Sequence, residues 1–200
     1  GSANKCRKNC TLPFCGDGIV DDGSHPATGK VFNEACDDGN QDDSDGCTAK
    51  CEQCLPLGQM GNIEITADTD LCPAEYSLDD YGDYGAIIIK ASGITLDCHG
   101  ATLIGEERGV GIVNFRSNDV VIKNCRIRGY EIGIRIQDAR NVTLQGNSVC
   151  DNHQPFENRV GAGFKKVAKA RSVQQTLCLL LQKIRGHLIY LLPWAQVFEV

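Results

Sequence analysis

The chain has 200 residues, 22 of them glycine and 12 cysteine, with 20 basic and 26 acidic side chains for a formal charge of −6, which is room for one or two small domains. That acidity argues against nucleic acid as a partner, since phosphate binding needs a basic face, and no apolar run reaches the roughly 18 residues of a membrane span. The charge is also uneven: residues 1–154 hold 13 basic and 24 acidic side chains, residues 155–200 hold 7 and 2.

Residues 1–54 show neither strand alternation nor a helical stripe and are dense in Gly, Asp, Asn and Cys. Seven of the cysteines fall here, in a segment too polar for a core, which points to disulfide staples formed in an oxidising compartment and to a secreted or cell-surface protein. Zinc is the competing reading, through Cys51-x-x-Cys54 and Cys47, but the four histidines are scattered and complete no four-ligand set. Met60 is the single methionine and no secretory leader is written at the N-terminus, so the sequence is expected to begin after a processing site or a cut, with Gly1-Ser2 as a candidate cloning remnant.

Within this module Cys15-Gly16-Asp17-Gly18, Cys36-Asp37-Asp38-Gly39-Asn40, Asp45-Gly46-Cys47 and Cys51 follow one another. The series resembles the Asp- and Cys-rich repeat of extracellular proteins; Cys6, Cys10 and Cys54 are additions to it. The resemblance implies a small stapled module on an exported protein. Asp38, Asn40, Asp42 and Ser44 recur at every second position, as in loops that aim side-chain oxygens at calcium. The EF-hand pattern is broken by Asp43 at the sixth place and Ala49 at the twelfth, so a solvated acidic turn and a calcium site of other geometry both stand. Disulfide candidates are Cys15, Cys36, Cys47, Cys51, Cys72 and Cys98, with Cys72–Cys98 the preferred pair beyond the module.

Residues 55–59 read as a linker. Asn62 to Thr66 alternates at period two and reads as a strand, and residues 60–84 are expected to cap the repeats that follow, whose end layer would otherwise expose unpaired backbone. In residues 85–152 one pattern is written three times. Gly111-Ile112 through Ile122 returns at a constant offset of 22 as Gly133-Ile134 through Leu144, and Gly85 through Leu96 fits with four extra residues in turns. Apolar residues align in columns: Ile94, Val120 and Val142; Leu96, Ile122 and Leu144; Leu103, Ile127 and Val149. Parallel strands stacked about 4.8 Å apart, one rung per repeat, satisfy this spacing, and a helix does not.

Ile94-Thr95-Leu96-Asp97-Cys98-His99-Gly100, Val121-Ile122-Lys123-Asn124-Cys125, Gly133-Ile134 and Asn141-Val142-Thr143-Leu144 resemble right-handed parallel β-helix proteins of the pectin-lyase-like class, closest to NosD-like and carbohydrate-binding versions. The implied fold is all-β, a right-handed parallel β-helix of about three rungs behind the disulfide-rich module. Residues 153–200 break the pattern. Phe164 to Arg185 reads as a basic helix ended by Pro193, and a terminal cap, a membrane- or partner-binding helix and a translated frame error compete to explain the tail.

Enzymes of this scaffold act on acidic polysaccharide. A lyase needs a basic residue beside Asp-bound calcium, and a hydrolase needs paired carboxylates. Asp97 stacks on Lys123, while Lys90, Arg116 and Asp138 are expected in one column; no paired Asp column and no complete catalytic site is visible. Lys123, Arg126 and Arg128 are the candidate polysaccharide-face charges. Asn124 and Asn147 read as turn residues bonding along the stack, and Asn9-Cys10-Thr11 and Asn141-Val142-Thr143 are glycosylation sequons in a host that glycosylates. The expected function is a secreted or cell-surface β-helix protein that binds polysaccharide or cell-surface glycan or supports adhesion; the alternative is the N-terminal part of a polysaccharide lyase or glycoside hydrolase.

Overall fold

The computed structural model describes residues 14–24, 31–58, 61–80, 82, 84–159 and 168–171. The chain divides into two compact units, Gly1–Leu57 with Asp70–Ala74, and Gly58–Thr69 with Glu75–Val200.

In the first unit Gly, Asp and Asn break any alternation, so loops dominate. Its strands β1 (Asp22–Ser24) and β2 (Val31–Asn33) pair antiparallel. Disulfides join Cys15 to Cys51, Cys36 to Cys47 and Cys54 to Cys72, across sequence separations of 36, 11 and 18. Links of this span each remove roughly 3 kcal/mol of chain entropy from the unfolded state. That contribution matters here, because Cys47, Cys51, Leu71 and Cys72 are the unit's only buried apolar side chains among the described residues. The zinc reading falls, since Cys47, Cys51 and Cys54 are each committed to a different disulfide.

Cys72 pairs with Cys54, which corrects the expected Cys72–Cys98 bond. The Leu55 N–H donates to the Asp70 carbonyl at 2.7 Å and the Cys72 N–H to the Leu55 carbonyl at 3.1 Å. This short parallel bridge brings the two Cα atoms to 4.8 Å, within disulfide reach.

The second unit is a parallel β-helix. Its first rung is β3 (Ile63–Ile65), β4 (Thr69–Asp70) and β5 (Glu75–Ser77); its second β6 (Ile87–Ile89), β7 (Thr95–Asp97) and β8 (Thr102–Ile104). The third is β9 (Val110–Phe115), β10 (Val121–Lys123) and β11 (Arg126–Arg128), and the fourth β12 (Ile132–Gln137), β13 (Val142–Gln145) and β14 (Ser148–Val149). β15 (Gln154–Arg159) and β16 (Ala168–Arg171) begin another layer. Three sheets result, in the orders β15-β12-β9-β6-β3, β16-β13-β10-β7-β4 and β14-β11-β8-β5.

Two sequence expectations change. The coil has about four rungs instead of three, because the segment expected as a cap supplies β3, β4 and β5. Parallel pairing also continues past Asn152, with β15 on β12 and β16 on β13. Ala168–Arg171 is therefore a strand where a helix was expected; the rest of the Phe164 to Arg185 segment lies outside the described residues.

The offset of 22 holds from the third to the fourth rung, as Val110↔Ile132, Val121↔Thr143 and Arg126↔Ser148 show. From the second to the third it is stretched, with Ile87 against Ile112 and Thr95 against Val121. Ala86, and not Gly85, therefore takes the place of Gly111. Lys90 consequently falls beside Phe115 and out of the column expected with Arg116 and Asp138.

Inside the coil the columns Leu96–Ile122–Leu144 and Tyr76–Leu103–Ile127–Val149 are in register and buried. Each such side chain withdrawn from water stabilises by about 1.5–3 kcal/mol. A disulfide joins buried Cys98 and Cys125 on adjacent rungs, and Cys150 is disulfide-bonded too. Asp119, Asn124, Asp138, Asn141 and Asp151 take positive φ between 51° and 57°, the left-handed conformation that short polar side chains tolerate at turns. Gly133 is required for a different reason: a Cβ there would lie 2.2 Å from Val149 Cγ1 and 2.8 Å from the Pro155 carbonyl oxygen.

Candidate functional site

Alternation along β9 and β12 turns Ile112 and Ile134 inward, with Phe156 of β15, 37% exposed, in register with them, and leaves the intervening positions on the outer face. There Val113, Arg135 and Glu157 form one column and Phe115, Gln137 and Arg159 the next. Phe115 is 42% exposed, and the Arg116 guanidinium lies 4.6 Å from its ring centroid, within cation–π range.

Glu157 organises the end of this face. Arg135 Nε donates to one carboxylate oxygen at 2.6 Å and Arg159 Nε to the other at 2.7 Å. Partial desolvation acts to raise the Glu157 pKa, but the two guanidinium hydrogen bonds and charges outweigh it and hold the carboxyl below its ordinary range. The result is an exposed aromatic ring and three guanidinium groups on neighbouring strands and their adjoining turn, on a protein whose net charge is negative. Stacking on a flat apolar ring face and bidentate capture of an anion are what such groups do.

A second polar group sits at the β7–β10 edge of the coil. Asp97, 5% exposed, accepts from the His99 N–H at 3.0 Å and Asn124 Nδ2 at 2.9 Å, and pairs with Lys123 Nζ at 2.9 Å. His99 Nε2 stands 3.6 Å from the same carboxylate. Burial works to raise the Asp97 pKa, yet the His99 N–H, Lys123 and Asn124 together push it below the ordinary carboxylate range. The expected stacking of Asp97 on Lys123 is present, and the next residue in that column is Gln145. A carboxylate so fully engaged is a stabilised anion and a poor proton acceptor.

Of the expected polysaccharide-face charges, Lys123 is thus turned to Asp97. Arg126 and Arg128 are exposed on β11, Arg128 lying 3.4 Å from Glu75. These three lie on different sheets from Phe115. Arg159 and Phe115 had no distinguishing signal in the sequence, because outward positions carry no periodic pattern; Arg135 and Gln137 were visible only as part of a repeated strand.

In the first unit Asp37 is the central polar residue. Its carboxylate accepts backbone N–H groups from Gly16 at 2.9 Å, Asp17 at 3.2 Å, Gly18 at 2.7 Å and Gly39 at 2.9 Å. Desolvation opposes ionisation, but these four donors together hold the Asp37 pKa below the usual carboxylate range. The repeated Cys-Gly-Asp-Gly and Cys-Asp-Asp-Gly-Asn segments are joined by this contact, with Gly16 and Gly18 at φ of 93° and 81° to aim their N–H groups inward. Cys15 and Cys51 lie beside Asp37, but their sulfurs are bonded to each other and offer no thiolate.

Asp38, Asn40, Asp42 and Ser44 are placed on one exposed turn. Asp38 Oδ1 accepts the Asn40 N–H, Asn40 Oδ1 the Asp42 N–H, and Asp42 Oδ1 both the N–H and the hydroxyl of Ser44. The alternation is therefore a chain of Asx turns. Calcium at this place would draw on the second carboxylate oxygens of Asp38 and Asp42.

Among the described residues no helix is long and apolar enough to cross a membrane. Comparison with family models, curated proteins and solved structures finds no match.

Proposed function

We propose that the protein is an exported, non-catalytic β-helix that binds acidic polysaccharide along the outer face of β9, β12 and β15. One observation carries the reading: Phe115 is exposed on that face, with Arg116 over its ring and the Arg135–Glu157–Arg159 network on the neighbouring strands. A sugar ring stacks on Phe115 while its carboxylate meets the guanidinium groups of Arg116 and Arg159. The disulfides fit a protein that works outside the cytoplasm.

The test is calorimetric titration with polygalacturonate and with a neutral glucan. Binding to the acidic polymer, weakened by salt as screening demands, and loosened at least about tenfold by Phe115→Ala, which is about 1.4 kcal/mol, supports the reading. Equal affinity for the neutral glucan, or a Phe115→Ala variant that binds as well as the parent, overturns it.

The alternative is the N-terminal part of a polysaccharide lyase or glycoside hydrolase; for a lyase, Lys123 and His99 beside Asp97 are the basic groups at hand. Release of unsaturated uronate that stops in Lys123→Ala would favour a lyase over a binding protein.

A further inference from the structure

The turn between β12 and β13 carries a feature that the outer face does not use. Asn141-Val142-Thr143 has the acceptor pattern for N-linked glycan. Asn141 is exposed at φ 53°, while Val142, 1% exposed, fixes the segment by packing inward and Thr143 is half-buried at the start of β13. Of the three residues of the sequon, Asn141 is the one exposed to solvent.

The chemistry available at Asn141 differs from that at the interior asparagines. Asn147 Nδ2 donates to the Ile122 carbonyl at 2.8 Å, and Asn152 Nδ2 to the Ile127 and Cys150 carbonyls at 2.9 Å each; both side chains hold the coil together and neither lies in a sequon. Asn141 Nδ2 donates to Asp119 Oδ1 at 2.8 Å. A carboxamide nitrogen carries two hydrogens, so one is held by Asp119 on the rung before and one remains to be replaced. The disulfides, independent of this turn, fit passage through an oxidising secretory compartment.

We propose that Asn141 is an N-glycosylation site. In the transfer, Asn141 Nδ2 bonds to the anomeric carbon of an oligosaccharide carried on a lipid pyrophosphate. The sugar–oxygen bond to the pyrophosphate breaks, the lipid pyrophosphate leaves with the electron pair, and one amide proton is released. The remaining N–H keeps the hydrogen bond to Asp119, so the glycan is added without loss of the rung contact.

The experiment expresses the full chain in secreting eukaryotic cells and maps peptides before and after peptide N-glycosidase. The expected result is a mass increment on the Asn141 peptide, removed by the glycosidase with conversion of Asn141 to aspartate. It is lost in Asn141→Gln and in Thr143→Val, which keeps the shape of the β13 residue, and it is retained in Thr143→Ser. An unmodified Asn141 peptide from secreted wild-type protein, or an increment confined to the Asn9 peptide, overturns the proposal. Should Asn141→Gln not be secreted, Thr143→Val and Thr143→Ser make the same distinction.

Discussion

The backbone N–H of Cys125 donates to Asn147 Oδ1 at 2.9 Å, so the residue that shares a disulfide with the rung before it also gives a hydrogen bond to the rung after. Asn147 Nδ2 reaches back to the Ile122 carbonyl, and both partners are buried where water cannot replace them. Asn147→Leu leaves the buried Cys125 N–H unpaired, at a cost of about 1–3 kcal/mol, and removes one of the donors to the Ile122 carbonyl. Urea unfolding of the disulfide-intact protein should show the loss as a lower midpoint; an unchanged midpoint would contradict the assigned role.

Asp97 makes stability depend on pH. Its folded pKa lies below the ordinary value, so the unfolded chain takes up the proton first as pH falls. The stabilisation is then fully present above the unfolded carboxylate pKa of about 3.9 and is lost as pH drops through the lower, folded value. Asp97→Asn should unfold at lower urea than the parent at neutral pH, and the gap should narrow in acid. A gap that does not change with pH would mean the carboxylate's charge is irrelevant.

Asp37 is expected to hold its two loops together through acceptor number. Asn at that position offers one carbonyl oxygen where four backbone N–H groups now share two carboxylate oxygens. Asp37→Asn should accelerate amide hydrogen exchange at Gly16, Gly18 or Gly39 while exchange in β12 stays as it was. Unchanged protection at all three glycines would count against the arrangement.

Gly133→Ala puts a methyl group against Val149 Cγ1 and the Pro155 carbonyl. Overpacking of this kind costs roughly 1–3 kcal/mol. Gly58→Ala is the control, since nothing lies within 4 Å of the added atom and its φ is not in the left-handed region; a surface change of this sort stays within about 0.5 kcal/mol. Thermal unfolding of the pair should separate them clearly.

The coil was legible in the sequence where packing alone dictates it. Leu96, Ile122 and Leu144 must face inward in register, and any slip would expose the whole column. The first rung was hidden because Tyr76 takes the place filled later by Leu103 and Ile127, and because residues 60–84 lack the Gly-Ile and Asn-Val signatures. Disulfide partners were hidden for a geometric reason. Cys98 and Cys125 meet only because the turn from Cys98 to Ala101 is longer than the turn after Lys123, a length difference that sequence offsets report but do not localise. The outer face was least legible: Arg135 and Phe115 are distinguished by which strands lie beside them, and nothing inside the coil constrains their identity.

The chain leaves the first unit after Leu57, returns to it for Asp70–Ala74, and leaves again. The returning segment carries Cys72, bonded to Cys54. A protease that nicks anywhere in residues 58–69 therefore releases nothing: the fragments migrate together until a reductant is added, and the paired module cannot be obtained by stopping synthesis at Leu57. Among the described residues Cys54–Cys72 is the one disulfide that spans residues 58–69, so a single cut there parts the chain only after reduction.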